Sequence, residues 1–196
     1  IFGGFNRPEK MSPRLLAAWR EILLRADRSR LVVRGKAFAG SGVRDRFFAM
    51  LGHDLEPRVD VAPYAPGEMG AYAGYAAMDV ALDTFPYHGT TTTCDALAMG
   101  VPVVSWQGGT PPARVGRSLL AAVGLADLSV DGRDAYVAKA LELAADTERR
   151  RELRRTLRDR LRASPLGDPV GLARALEELY RALVEQRRRG ETLRFG

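Results

Sequence analysis

Short apolar runs alternate along the chain with longer amphipathic segments, a pattern that predicts an α/β fold with a mainly parallel sheet. Ile1-Phe2-Gly3-Gly4-Phe5 reads as the first strand. Ser12-Pro13 then supplies an N-cap followed by proline at the first helical position, and Leu15, Leu16, Trp19, Ile22 and Leu23 mark a single helical stripe. Leu31-Val32-Val33 is the next expected strand, residues 44–51 a helix, and Val59 to Val61 a short strand.

Met78-Asp79-Val80-Ala81-Leu82-Asp83 alternates with period two, which places Met78, Val80 and Leu82 on one face of a strand. Phe85-Pro86-Tyr87-His88-Gly89 is the turn after it, with Pro86 and Gly89 as breaks. A helix is expected from about Thr91 to Met99, stopped by Gly100, then a buried strand at Val101-Pro102-Val103-Val104 and a helix over 114–123 closed by Gly124. Asp131, with Asp134 three residues on, resembles a capping box opening a helix to about Ala145. An arginine-rich helix follows, and Asp168-Pro169 caps a last helix carrying Leu172, Leu176, Leu179 and Leu183. The expected organisation is one Rossmann-like domain over 1–187, its parallel sheet flanked by helices and continued by a helical C-terminal extension. Residues 188–196 read as a frayed basic tail.

Composition narrows the classes. The chain has 196 residues, 46% of them hydrophobic and 28% charged, ordinary values for one globular domain. No apolar run approaches the roughly 20 residues of a membrane helix, so no membrane partner is expected. The net charge of +6 suggests nucleic acid until its distribution is read. Eight arginines fall between Arg149 and Arg162, interleaved with Glu152 and Asp159, while Leu153, Leu157 and Leu161 recur four apart. That is a helix with one apolar stripe and a solvated basic face, and it lacks the interleaved aromatics of a single-strand groove. No nucleic-acid partner is expected. Cys94 is the only cysteine, which excludes an intrachain disulfide and suits the cytoplasm. The opening residues read as a strand entered midway, as in a piece of a longer polypeptide.

In an open parallel sheet, ligands bind beyond the carboxyl ends of the strands, where loops enter helix N-termini. The strand ending at Asp83 leads to such a place: His88-Gly89 feeds Thr90-Thr91-Thr92-Thr93 at the start of a helix. Unsatisfied N–H groups and a partial positive charge favour phosphate there. The threonine hydroxyls add donors, and Gly89 permits close backbone approach. Asp95, in the first turn, is placed to accept hydrogen bonds from ribose hydroxyls. Threonine and aspartate are also ordinary helix-start residues that need no ligand, although four threonines in a row are poor helix material.

Lys10, in the loop after the first strand, lies at the same edge and is placed to neutralise charge on a departing diphosphate, with Arg7 beside it. Taken alone, Lys10 is an ordinary solvated lysine. Lys36 follows the second strand in an equivalent position, and Gly108-Gly109-Thr110-Pro111-Pro112 leads to Arg114 at another helix start. The convergence of these loops on one rim outweighs any single residue. His53 and His88 form no ligand-spaced cluster with Cys94, so no metal is expected. No Gly-x-Ser-x-Gly elbow and no Gly-rich Lys-Ser/Thr loop is present.

The run from Leu82 through Asp83-Thr84-Phe85-Pro86-Tyr87-His88-Gly89-Thr90-Thr91-Thr92-Thr93-Cys94-Asp95 to Leu97, continuing over Met99 to Val104, resembles the donor-site signature of the TPR-linked protein O-glycosyltransferases, the O-GlcNAc transferases and SPINDLY proteins. Arg114-Val115-Gly116, Phe5-Asn6 with Lys10, and Gly35-Lys36-Ala37-Phe38 are similar to flanking blocks, and the likeness runs over about residues 1 to 185. It implies the C-terminal, donor-binding half of a GT-B enzyme that is inverting, metal-independent and acts on Ser or Thr of proteins. On that resemblance Lys10 matches the lysine that contacts the diphosphate, Thr91 and Thr92 the threonines that hold phosphates, and Asp95 the acid that binds ribose. Gly89, Thr90, Lys36, Ala65 and Arg114 join them as expected donor-binding positions. The O-GlcNAc transferases carry base-clamping basic residues after the position of Ala65-Pro66; here residues 67–74 contain none. UDP-GlcNAc is the expected donor substrate. The alternatives are GDP-fucose, which plant SPINDLY proteins use, and a non-catalytic sugar-nucleotide or protein-interaction module. Bacterial relatives with a similar motif transfer glucose to Asn. The resemblance also implies an N-terminal catalytic half and a TPR array in the parent chain, through which an acceptor protein or peptide would be engaged.

Overall fold

The computed structural model describes residues 1–64 and 68–190, with the side chains of 68–71 outside the description. Six parallel strands form one sheet: β1 (Phe2–Gly4), β2 (Leu31–Arg34), β3 (Val59–Ala62), β4 (Val80–Leu82), β5 (Val103–Gln107) and β6 (Ser129–Asp131). Their order is β3-β2-β1-β4-β5-β6. Register runs Phe2 to Leu31 on one side of β1 and Phe2 to Val80 on the other. The chain therefore winds outward from β1 in one direction, then returns to start again at β4. This reversal opens a crevice at the carboxyl ends of β1 and β4, where a doubly wound sheet binds its ligand.

Helix α1 (Pro13–Arg25) begins as its sequence predicts. The Ser12 hydroxyl accepts from the Leu15 N–H at 3.3 Å, Pro13 takes the first position, and the stripe from Leu15 to Leu23 is fully buried. Each such side chain contributes roughly 1.5–3 kcal/mol by leaving water. The two glycines of β1 make room for this packing: a Cβ on Gly4 would lie 2.5 Å from the Trp19 ring, and one on Gly3 would strike Met78. The Trp19 indole N–H donates to the Tyr136 hydroxyl (3.0 Å), which donates to the Asp83 carbonyl (3.0 Å). Tyr136 sits on α6 (Arg133–Ala145), so this buried chain ties two helices to the end of β4. Helices α1, α2 (Ser41–Leu51) and α6 pack together, while α4 (Thr91–Ala98) and α5 (Val115–Ala122) pack with β5 and α7 (Thr147–Ala163) lies against α4 and α6.

Several expectations change. β4 is shorter than the expected run from Met78 to Asp83, and it is buried at Val80, Ala81 and Leu82 alike, as in a sheet covered on both faces. β5 starts at Val103, with Pro102 ahead of the ladder. The capping box at Asp131 is overturned: Asp131 ends β6 and accepts from the Gln107 amide at 2.5 Å. Gly132 precedes α6 at φ +85 with no side-chain cap. β6 and α3 (Glu68–Ala76) were not anticipated. Gly100 (φ +75) and Gly124 (φ +74) end α4 and α5 in the left-handed conformation as expected.

Leu153 and Leu157 of α7 are buried and its other face is salt-bridged, as in Arg149 with Asp127 and Arg160 with Glu152. Arg150 donates instead to the carbonyls of Leu143 and Ala144, and Arg154 departs furthest from the pattern. It turns inward and donates to the carbonyls of Tyr75, Met78 and Met99. The last helix, α8 (Pro169–Arg188), is capped by Asp168, whose carboxylate accepts from the Gly171 N–H at 2.8 Å. It continues as helix to Arg188, the first residue of the expected frayed tail, and residues 191–196 lie outside the described residues. No described helix is long and apolar enough to cross a membrane.

Candidate functional site

Beyond β1 the chain passes the buried Phe5 and Asn6, then makes a tight turn over Pro8–Lys10. The turn aims the Lys10 ammonium at the neighbouring β4 loop. It donates to the His88 carbonyl at 2.8 Å and lies 4.2 Å from the centroid of the Tyr87 ring. Burial holds the Lys10 pKa below the ordinary lysine range; the nearby Asp83 opposes that shift and Arg7 adds to it.

The loop after β4 is fixed from beneath. Asp83 is fully buried, and one carboxylate oxygen accepts from the N–H groups of Thr84 (2.9 Å) and Gly89 (2.8 Å). The other accepts from the Ser105 hydroxyl at 2.8 Å. Burial pushes the Asp83 carboxyl up, against the pull of these donors. The buried His88 accepts the Gly116 N–H at Nδ1 (2.9 Å), so its proton resides on Nε2, which donates to the Trp106 carbonyl at 2.9 Å. Asp83, Ser105 and His88 thus share a pocket without forming a nucleophilic triad, because the ring nitrogen facing Ser105 is occupied by a backbone donor. They brace the loop.

Helix α4 opens directly from that loop. Thr90 is its N-cap, and its side chain makes no capping hydrogen bond. A helix mouth left uncapped in this way retains its N–H groups for an anion. The threonines do not act alike. The Thr93 hydroxyl is buried and donates back to the Gly89 carbonyl at 3.2 Å, correcting the expectation that all four hydroxyls are offered to a ligand. Thr92 donates to the Asn6 side-chain oxygen at 3.1 Å, joining the two loops. Thr90, Thr91 and Thr92 line a cleft of about 700 Å³ together with Lys10, Arg7, Lys36, Tyr64 and Tyr87. This volume falls within the range of small-molecule sites.

The structure therefore brings together Lys10, Lys36, Thr90, Thr91 and Thr92. Gly89 lies one layer below: its N–H is committed to Asp83, and a Cβ there would sit 2.4 Å from the Thr92 hydroxyl. Its role is to let the helix start pack against the loop. Asp95 is half-buried on α4, where burial raises its pKa, and it does not line the cleft. Arg114 stands at the start of α5, donates to the Gly109 carbonyl at 2.8 Å, and is also outside the cleft lining. Ala65 lies outside the described residues. Sequence reasoning missed Asn6, Tyr64 and Tyr87 as cleft residues. Tyr64 follows β3 at the same carboxyl edge, and its hydroxyl donates to the Phe5 carbonyl at 2.7 Å. The edge rule that singled out Lys36 would also have found it. Among the described residues no group of three or more His, Cys, Asp or Glu is placed to hold a metal ion.

Strand order and a cationic cleft at the switch point define a Rossmann-like domain, and the architecture is that of a GT-B glycosyltransferase domain. The sequence profile of glycosyl transferase family 41 matches residues 1–174, and the chain belongs to that family. It is 42% identical over 184 residues to a SPINDLY protein of Solanum lycopersicum named as a probable UDP-N-acetylglucosamine–peptide N-acetylglucosaminyltransferase. Identity to the similarly named SEC protein of Arabidopsis thaliana is 30% over 181 residues. These matches cover 93% and 92% of the chain but only 20% and 18% of the two relatives. An O-GlcNAc transferase of Thermobaculum terrenum, solved as a lysine-to-methionine mutant, superposes with TM-score 0.86 at 35% identity, over 92% of this chain and 35% of that one. The pneumococcal O-GlcNAc transferase GtfA, solved with UDP and GlcNAc, shares the fold at TM-score 0.59 and 15% identity.

Proposed function

We propose that this chain binds the diphosphate of a nucleotide sugar in the cleft between the β1 and β4 loops, as the donor-binding part of a protein O-glycosyltransferase. One observation carries the reading: Lys10 and the uncapped, threonine-lined mouth of α4 face the same cleft at the switch point. The helix N–H groups, those of Thr91 and Thr92 among them, and the Thr91 hydroxyl take up phosphate oxygens. Lys10 then neutralises the charge that develops on the diphosphate as the sugar leaves, the service a metal ion performs elsewhere. Asp95 in this reading holds the ribose from the second turn of α4, beside the residues that line the cleft. The donor is UDP-GlcNAc, and the acceptor is a Ser or Thr of a polypeptide presented by a part of the parent protein beyond these residues.

Calorimetric titration with UDP and GDP tests this. The expected result is binding of UDP, weakened at least about ten-fold by Lys10→Ala, the loss of a charge-assisted contact. A preference for GDP supports the fucosyl alternative raised by the likeness to SPINDLY. Binding of neither nucleotide would leave the domain as an interaction module and end the donor-site reading.

A further inference from the structure

We propose that Tyr87 is a positioning residue for Lys10, its ring holding the ammonium group where a diphosphate meets it; this rests on the donor-site reading above. Tyr87 is 54% exposed, a poor use of a large aromatic side chain if packing were its purpose. Its backbone is nonetheless fixed: the Thr84 hydroxyl donates to its carbonyl at 2.6 Å, and Thr84 is itself held by Asp83. The exposed ring thus stands on a rigid base and forms one wall of the cleft.

Lysine is a point charge on a flexible four-carbon stem, and left to itself it samples many rotamers. Here two contacts define its place, the His88 carbonyl at 2.8 Å and the Tyr87 ring face at 4.2 Å. The carbonyl takes one of the three ammonium hydrogens and the ring takes none by conventional hydrogen bonding, so two remain for phosphate oxygens. The ring quadrupole also favours the charged form. The other charges near Lys10 are Asp83 beneath it and Arg7 in its own turn, while Glu9 and Lys36 line the same cleft. A cation held this way meets the diphosphate without first losing its rotamer freedom.

The test titrates UDP and UMP, with GDP and GMP in parallel, into the 196-residue chain and its variants Tyr87→Leu, Tyr87→Phe and Lys10→Met. Tyr87→Leu is expected to weaken the diphosphate about two- to five-fold, the size of an exposed cation–π contact, and to leave the monophosphate unchanged. Tyr87→Phe keeps the ring face and retains wild-type affinity. Diphosphate affinity falls as pH rises through the Lys10 pKa, and in Tyr87→Leu that fall moves to lower pH. If Lys10→Met weakens the diphosphate while Tyr87→Leu matches wild type in affinity and pH profile, the positioning role is wrong and the donor site stands. If Tyr87→Phe is as weak as Tyr87→Leu, the hydroxyl and not the ring face acts, which also overturns the proposal. If Lys10→Met binds as well as wild type, the donor-site reading fails and takes this inference with it.

Discussion

Asp83 shows what a single residue contributes that its neighbours in sequence do not reveal. Its carboxylate serves two backbone N–H groups and a serine hydroxyl in a space closed to water. Asp83→Ala would strand those donors, and the expected loss of stability is about 2–4 kcal/mol. Urea denaturation measures it; a loss below about 0.5 kcal/mol would show that the loop satisfies its own polar groups. Lys10 yields a second prediction at this scale. Burial lowers its pKa, and diphosphate binding requires the protonated form, so affinity is greatest below that pKa and declines as pH rises through it, before ordinary lysines titrate. A series of titrations from neutral to alkaline pH, with a flat profile as the contradicting outcome, reads this directly. Lys10 was legible in the sequence because it stands two elements into a recognisable edge position. The bracing of His88 was not, since Ser105 and Gly116, its neighbours in the fold, belong to later elements.

Helices and strands were legible where their signals were local. The Ser12 cap, Pro13 and the Leu15 to Leu23 stripe specify α1 from twelve consecutive residues, and the structure agrees with each of them. Ser12→Ala removes an N-cap acceptor and also a hydroxyl that donates to the Phe85 carbonyl at 2.8 Å. The expected cost is roughly 1–2 kcal/mol, visible as a lower denaturation midpoint; an unchanged midpoint would mean that Pro13 alone sets the helix start. Elements without local signals were missed for definable reasons. β6 has three residues, none of them on a strongly apolar alternation, and exists because β5 offers it an edge. α3 contains Gly70 and Gly74, which weaken helix propensity. The supposed capping box failed because a sequence pattern cannot report that Gly132 adopts φ +85 and detaches Asp131 from the helix.

At the scale of the molecule, the sheet order positions the cleft and the excess charge does not. Arg149, Arg151 and Arg160 pair with neighbouring acids and Arg150 and Arg154 tie down carbonyls, while the cleft lies beyond the carboxyl ends of β1 and β4. α8 stands apart from this organisation: Val170, Leu172, Leu176, Leu179, Tyr180 and Val184 are all exposed along it. Little of the core depends on that helix. Removing residues 169–196 is therefore expected to lower helical content while shifting the urea midpoint and UDP affinity hardly at all, and a large loss of either would show that α8 supports the domain. The central claim concerns the mouth of α4. A crystal structure of the chain with bound UDP tests it most directly. The account predicts phosphate oxygens within hydrogen-bond distance of the Thr91 and Thr92 backbone N–H groups and of Lys10 Nζ. A diphosphate seated elsewhere, against the arginines of α7 for example, would contradict it.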